Sequence, residues 1–148
     1  MSTYSLLPVV IKGTREARKA ATVSTIISQP SGSLDEKTLL KAETVNSMFQ
    51  NNIGDIQPAA LATLMPTLSN TADMSFGEKA TFGLGLLLHT DGITGGRKAN
   101  TGSWAGLFNS YYWVDREAGT YGIFGTQVLP FYDGVAIETL LEFEQAVY

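Results

Sequence analysis

Three short stretches of this chain carry residue types that could do chemistry. They are His89 in LLHTDG, the glycines of DGITGGRK, and Trp104, Ala105 and Gly106 in SWAGLFNSYYWVD. His89 is the only histidine and cysteine is absent, so Cys-based zinc sites, disulfides and thiolate nucleophiles drop out together. Asp91 lies two residues on, on the opposite side of any loop, and His89 therefore reads as a structural or merely exposed side chain. Gly92, Gly95 and Gly96 invite a phosphate-loop reading, but no Lys-Ser or Lys-Thr follows them to open a helix. That stretch predicts a hairpin loop. No metal and no cofactor is expected.

Read from residue types alone, Trp104-Ala105-Gly106 is a buried indole beside a glycine that lets strands pack closely. Tyr111, Tyr112, Trp113 and Phe124 would then be ordinary sheet and core aromatics.

The surrounding patterns say what must hold these residues. TFGLGLLLHT alternates, with Phe82, Leu84, Leu86 and Leu88 on one face of a strand. SWAGLFNSYYWVD and GTYGIFGTQVLP read as two more strands joined by the turn REAG, which makes an antiparallel meander. Ala136, Leu140, Phe143 and Val147 then recur at helical spacing behind Asp133, a candidate N-cap, and need a sheet face to lie on. Upstream, LDEKTLLKAETVNSMFQNN predicts an amphipathic helix with Ala42, Val45, Met48 and Phe49 inward, ending at Asn51, Asn52 and Gly54. Residues 54 to 77, with two prolines and no period, predict a long connection that is functional or wraps a surface. The first 33 residues give weak signals, with one helix pattern carrying Ala17, Ala20, Val23 or Ser24, and Ile27 on one side. The expected fold class is α+β: an antiparallel sheet of three or more strands with a C-terminal helix packed on it. Its domain would occupy residues 34–148, behind an unassigned segment 1–33.

The totals narrow the partners. A chain of 148 residues makes one domain. A net charge of -4 and a pI near 4.9 give no electrostatic reason to bind nucleic acid. The apolar run from Leu6 to Ile11 lacks the basic flank and cleavage site of a signal peptide, and no stretch approaches the ~20 apolar residues of a membrane span. A cytoplasmic protein with no membrane partner is the expectation.

Several pieces in one order carry a resemblance: GLGLLL, GGR, GSWAGLFNSYYWVD, AGTYGIFGTQVLPF and FEQAVY. Residues 82 to 148 resemble the C-terminal part of the β-lactamase-like serine hydrolases, in the class C β-lactamase/esterase family and its fungal transesterase-like branch. A weaker likeness of LLKAETVNSMFQNNIGD extends this to about residue 37. In that family a strand bearing Lys-Thr-Gly, or Trp-Gly-Gly or Trp-Ala-Gly in the esterases, forms one side of the active-site cleft. The resemblance implies that Trp104, Ala105 and Gly106 occupy that place. The backbone N–H of Leu107 would be one of two donors to the oxyanion formed during acyl transfer, a role that depends on strand geometry rather than on a side chain. Trp-Ala offers apolar surface where Lys-Thr would hold a carboxylate, which implies neutral esters or thioesters as substrates. Arg97 and Lys98 sit nearby in sequence and count against this preference.

The same family uses a Ser-x-x-Lys nucleophile, with a Tyr-x-Asn or Tyr-x-Ser partner. No serine of this chain has a lysine three positions on; Ser33 and Ser75 have one at four. Thr38-Leu39-Leu40-Lys41 has the spacing but falls far from the family's nucleophile. No catalytic nucleophile is therefore assigned. The chain is expected to be inactive alone, either as the C-terminal portion of a serine esterase or transesterase complemented by a nucleophile-bearing half, or as a non-catalytic α+β binding or remnant domain.

Overall fold

A computed structural model describes residues 7–9, 32–34 and 37–148. Its centre is a six-stranded antiparallel sheet in the order β1-β8-β7-β6-β5-β4. The strands are β1 (Leu7–Val9), β4 (Ala80–Phe82), β5 (Leu87–His89), β6 (Thr101–Gly106), β7 (Ser110–Asp115) and β8 (Thr120–Gly125). A separate two-residue ribbon pairs β2 (Ser33–Leu34) with β3 (Lys37–Thr38), and two helices, α1 (Ala42–Met48) and α2 (Gly134–Gln145), complete the described elements. The expected α+β class, an antiparallel sheet of three or more strands with a C-terminal helix packed on it, holds.

Alternation along β7 and β8 divides the core between the two faces of the sheet. Leu86, Leu88, Val114 and Tyr121 face Met48 and Phe49 at the end of α1. Leu87, Tyr111, Trp113 and Phe124 face Leu140 of α2, with Phe143 and Val147 packed beside it. The helix α2 is capped as expected, since the Ala136 N–H donates to Asp133 Oδ1 at 3.0 Å. Ala136 and Leu140 are buried on its inner stripe, and so is Glu144.

Three elements differ from expectation. The helix predicted from residue 34 begins only at Ala42, because the Leu39 and Leu40 N–H groups both donate to Gly32 O, at 3.0 and 3.1 Å. Those bonds close a turn against Gly32 and hold the preceding residues in the β2–β3 ribbon. The single strand TFGLGLLLHT is two, β4 and β5, because Gly83 N–H donates to Leu86 O at 2.8 Å and Gly85 takes φ +75°. Leu84 is consequently exposed at the turn, and Phe82 packs with the opposite cluster from Leu86 and Leu88. SWAGLFNSYYWVD is likewise broken, at a turn over Leu107, Phe108 and Asn109, where Asn109 adopts φ +56°.

The connection 54–77 wraps the α2 side of the sheet. Leu61 and Ala72 form a bridge through reciprocal N–H···O bonds of 2.8 and 3.0 Å. Asn70 N–H donates to Phe131 O, and Phe131 N–H to Leu68 O, fixing this connection to the segment before α2. The possible helix over Ala17 to Ile27 lies outside the described residues. Among the described residues no helix is long and apolar enough to cross a membrane.

Candidate functional site

Trp104, Ala105 and Gly106 occupy the end of β6, where the strand changes its neighbours. On one side β7 pairs along its whole length, from Gly102↔Val114 to Gly106↔Ser110. On the other, β5 pairs only with Thr101, Gly102 and Ser103 before the chain turns away at Leu86. Among the described residues, Trp104 to Gly106 therefore have no strand partner on that side. The small side chains of Ala105 and Gly106 leave this open edge accessible to another chain or a ligand.

The open edge borders two adjoining clefts. One, of about 230 Å³, is lined by Ile56, Leu61, Asp73, Met74, Phe82 and Trp104 among others. The second, of about 190 Å³, shares Leu61, Met74 and Trp104 and continues past Ala105 and Gly106 to Leu107 and Phe131. Trp104 stands between the two, its ring 5.2 Å from Phe82 in an edge-to-face arrangement. The walls are almost wholly apolar, and the exceptions in the larger cleft are Asp73 and Ser75.

Asp73 is fixed by its own loop. Its Oδ1 accepts from Ser75 N–H at 3.0 Å and from Ser75 Oγ–H at 2.5 Å, and its Oδ2 accepts from Gly77 N–H at 3.1 Å. The Ser75 hydroxyl above all holds the carboxyl below the usual range; burial, next in size, opposes it, and the two backbone donors add smaller lowering effects. Phe76 takes φ +55° in the same loop and stacks on Tyr132, whose hydroxyl donates to Asp73 O at 2.6 Å.

Asn109 sets the turn that carries Leu107. It is fully buried, and its Nδ2 donates to Val128 O at 2.9 Å and Pro130 O at 2.8 Å. Its Oδ1 accepts from Tyr111 Oη–H at 2.9 Å and Asp133 N–H at 3.0 Å. One amide thus ties the β6–β7 turn to the loop preceding α2 and to the start of that helix. Burial pushes the Tyr111 hydroxyl upward, keeping it a donor.

The charged side chains of Arg97 and Lys98 make their contacts elsewhere. Arg97 lies inside the α2 layer, paired with Glu144, and its guanidinium sits 5.4 Å from the Trp113 ring. The Lys98 ammonium is 5.9 Å from the Tyr148 ring. Neither residue lines either cleft.

His89 is structural. It is fully buried, stacks on Phe76 at 6.1 Å, and places Nε2 3.0 Å from Ser103 Oγ and 3.4 Å from Arg97 Nη1. Arginine can only donate, so Nε2 accepts and the ring proton belongs on Nδ1, which has no partner among the described residues. Burial, reinforced by Arg97, lowers its pKa to about 3.

The family resemblance, not residue types alone, pointed to Trp104–Leu107, and neither pointed to Asp73, Phe82 or Asn109. DMSFG contains the Asp-x-Ser pattern of a side-chain-capped turn and was a usable signal for Asp73.

No protein-family model and no curated protein matches the chain. Solved structures do match. Unliganded simvastatin synthase LovD from Aspergillus terreus aligns with a TM-score of 0.64 and 19% identity over 87% of this chain and 33% of that one. Its LovD9 mutant aligns at 0.63 with 22% identity, over 86% and 33%. Its LovD6 mutant aligns at 0.63 with 19% identity, over 86% and 31%. The fold is therefore β-lactamase-like, and the chain spans about a third of the length of the solved structures it matches.

Proposed function

We propose that this chain forms the acyl-binding wall of a β-lactamase-like serine esterase or acyltransferase that acts on neutral esters or thioesters. The observation that carries the reading is the edge of Trp104–Gly106, without a strand partner among the described residues, beside an apolar cleft. An acyl carbonyl laid along that edge would meet the Leu107 N–H, a fixed dipole aimed at the oxygen that becomes negative in the transition state. Trp104 and Leu61 would hold the acyl chain, and Asn109 would hold the turn.

The nucleophile is the missing part. With no Ser-x-x-Lys in these 148 residues, it must come from polypeptide outside them, either a further stretch of the same protein or a separate chain. The experiment is labelling by a fluorophosphonate probe and hydrolysis of p-nitrophenyl butyrate. These are measured on the chain alone and on the chain co-expressed with the nucleophile-bearing remainder of a β-lactamase-like fold. No labelling alone, and labelling of the supplied serine with turnover in the complex, is the expected pattern. Labelling of a serine within residues 1–148 would replace this mechanism with another.

The same lack of Ser-x-x-Lys favours a second reading, a binding domain without catalysis. In that case the cleft binds small apolar ligands while no complement restores turnover.

A further inference from the structure

The larger cleft has one feature that an acyl-binding wall does not require. Among the described residues Asp73 is the only charged one lining either cleft, and it lines the larger with Leu61, Met74, Phe82 and Trp104. A carboxylate offers about four acceptor positions. Two on Oδ1 are taken by the amide and hydroxyl of Ser75, and one on Oδ2 by Gly77 N–H. One position on Oδ2 has no hydrogen-bond partner among the described residues. Among the described residues no lysine or arginine pairs with Asp73: Lys79, the nearest in sequence, lies 3.6 Å from Asp91, Arg97 pairs with Glu144, and Lys98 sits over the Tyr148 ring.

The cleft that Asp73 lines fits an alkyl group. A cavity of ~150 Å³ lined by aliphatic and aromatic side chains holds benzene, so about 230 Å³ accommodates a chain of roughly six to eight carbons. A cationic head beside Trp104 would gain from the face of the indole as well as from the carboxylate. An anionic head would meet a like charge.

We propose that the cleft is a binding site for a short alkyl ammonium group, with Asp73 receiving the cation and Leu61, Met74 and Trp104 enclosing the chain. This names the substrate class of the proposed acyl-transfer site: an ester or thioester carrying an amine within about six to eight carbons of the reacting carbonyl. For the chemistry it rests on that reading, and for the binding it does not.

The test needs no turnover. Hexylammonium, 1-hexanol and hexanoate are titrated into the protein at pH 7 and low salt, with heat and tryptophan fluorescence as parallel readouts. A charge-assisted hydrogen bond predicts that hexylammonium binds about tenfold more tightly than hexanol, and hexanoate more weakly than either. Asp73→Asn retains an oxygen for the Ser75 contacts and should bring the three ligands to within about twofold of one another, the charge-assisted term being gone. Ser75→Ala keeps the carboxylate and should preserve the order. If Asp73→Asn does not fold, added salt on the unaltered protein serves instead, because screening should narrow the gap between hexylammonium and hexanol. Equal binding of hexylammonium and hexanoate, or binding of neither, overturns the proposal. Turnover of p-nitrophenyl butyrate by a complemented enzyme without ammonium preference would remove this inference alone. Ammonium-selective binding with no turnover in any complement would remove the acyl-transfer reading alone.

Discussion

Arg97 and Glu144 meet in a two-pronged ion pair, Nε to Oε1 at 2.7 Å and Nη2 to Oε2 at 2.6 Å, with both side chains all but excluded from solvent. The Arg97 N–H donates to the same Oε1 at 2.8 Å, so the carboxylate also pins the backbone of the glycine loop to the last turn of α2. Removing one partner strands a buried charge. Glu144→Ala should therefore cost about 3–5 kcal/mol in urea unfolding. The paired change Arg97→Met with Glu144→Leu leaves no orphan and should recover most of that loss. A double variant no more stable than Glu144→Ala would show that the backbone bond, not charge compensation, is what matters.

His89 makes stability depend on acid. Its folded pKa, about 3, lies below the ordinary 6.5, so between those values the unfolded chain binds a proton that the folded one refuses. Its contribution is complete above about pH 6.5 and declines as pH falls toward 3, by at most about 1.4 kcal/mol per unit. The groups around the ring are Ser103, Arg97, Phe76 and, by its charge, Asp73. Of these, Arg97 opposes protonation and Asp73 favours it. His89→Gln should flatten the stability profile over this window relative to the parent chain. Parallel profiles would show that the carboxylates alone govern acid unfolding.

Gly122 is demanded by Trp113. A Cβ built on it would stand 2.1 Å from the indole ring, which is fully buried against α2. The ring cannot retreat without displacing Phe143, 5.7 Å away. Gly122→Ala should cost at least about 1–3 kcal/mol by overpacking, seen as a lowered urea midpoint, and Trp113→Phe in the same chain should relieve part of it. An unaltered midpoint for Gly122→Ala would mean that β7 and β8 can separate at little cost.

What could be read from sequence was local. Asp133 followed by Ala136 and Leu140 announces a capped helix within eight residues, and the structure keeps each of those roles. Trp104-Ala105-Gly106 was legible as a strand, though it ends the strand rather than starting it. The two broken strands show the limit of periodicity. An alternating pattern continues through Gly83–Leu86, and nothing in it reveals that glycines there reverse the chain. The α1 boundary was missed because Gly32 O captures Leu39 and Leu40, a contact that depends on a turn rather than on helical spacing. The buried polar network was the least legible part. Arg97 and Glu144 are 47 positions apart, and Asn109 reaches Val128 and Pro130, 19 and 21 positions on. Such pairs look like surface residues until the sheet and α2 close over them.

Asn109 offers a test of how the turn is held. Its two donors point at the carbonyls of Val128 and Pro130, so Asn109→Asp would set acceptor against acceptor inside the core. Loss of about 3 kcal/mol or more is expected, exceeding that of Asn109→Ala, which removes the partners without adding a buried charge. Unfolding curves for both variants decide it. Equal losses would mean that the turn opens and lets the new carboxylate reach water.

Leu107 separates a backbone role from a side-chain role. In the proposed mechanism only its N–H acts, and its side chain is already about half exposed. Leu107→Ala should leave acyl transfer by the complemented enzyme within about threefold, whereas Leu107→Pro removes the donor and should lower kcat by about 10²–10³. The substitution is tolerable in principle because Gly106 ends a strand, and the residue before proline favours an extended backbone. Proline could also disturb the turn, so the urea midpoint and the binding of hexanol in the cleft are measured on the same variant. A large fall in kcat with both unchanged supports an oxyanion donor at this position. Retained kcat in a folded Leu107→Pro variant would move the donor elsewhere and leave Trp104–Gly106 as a binding edge only.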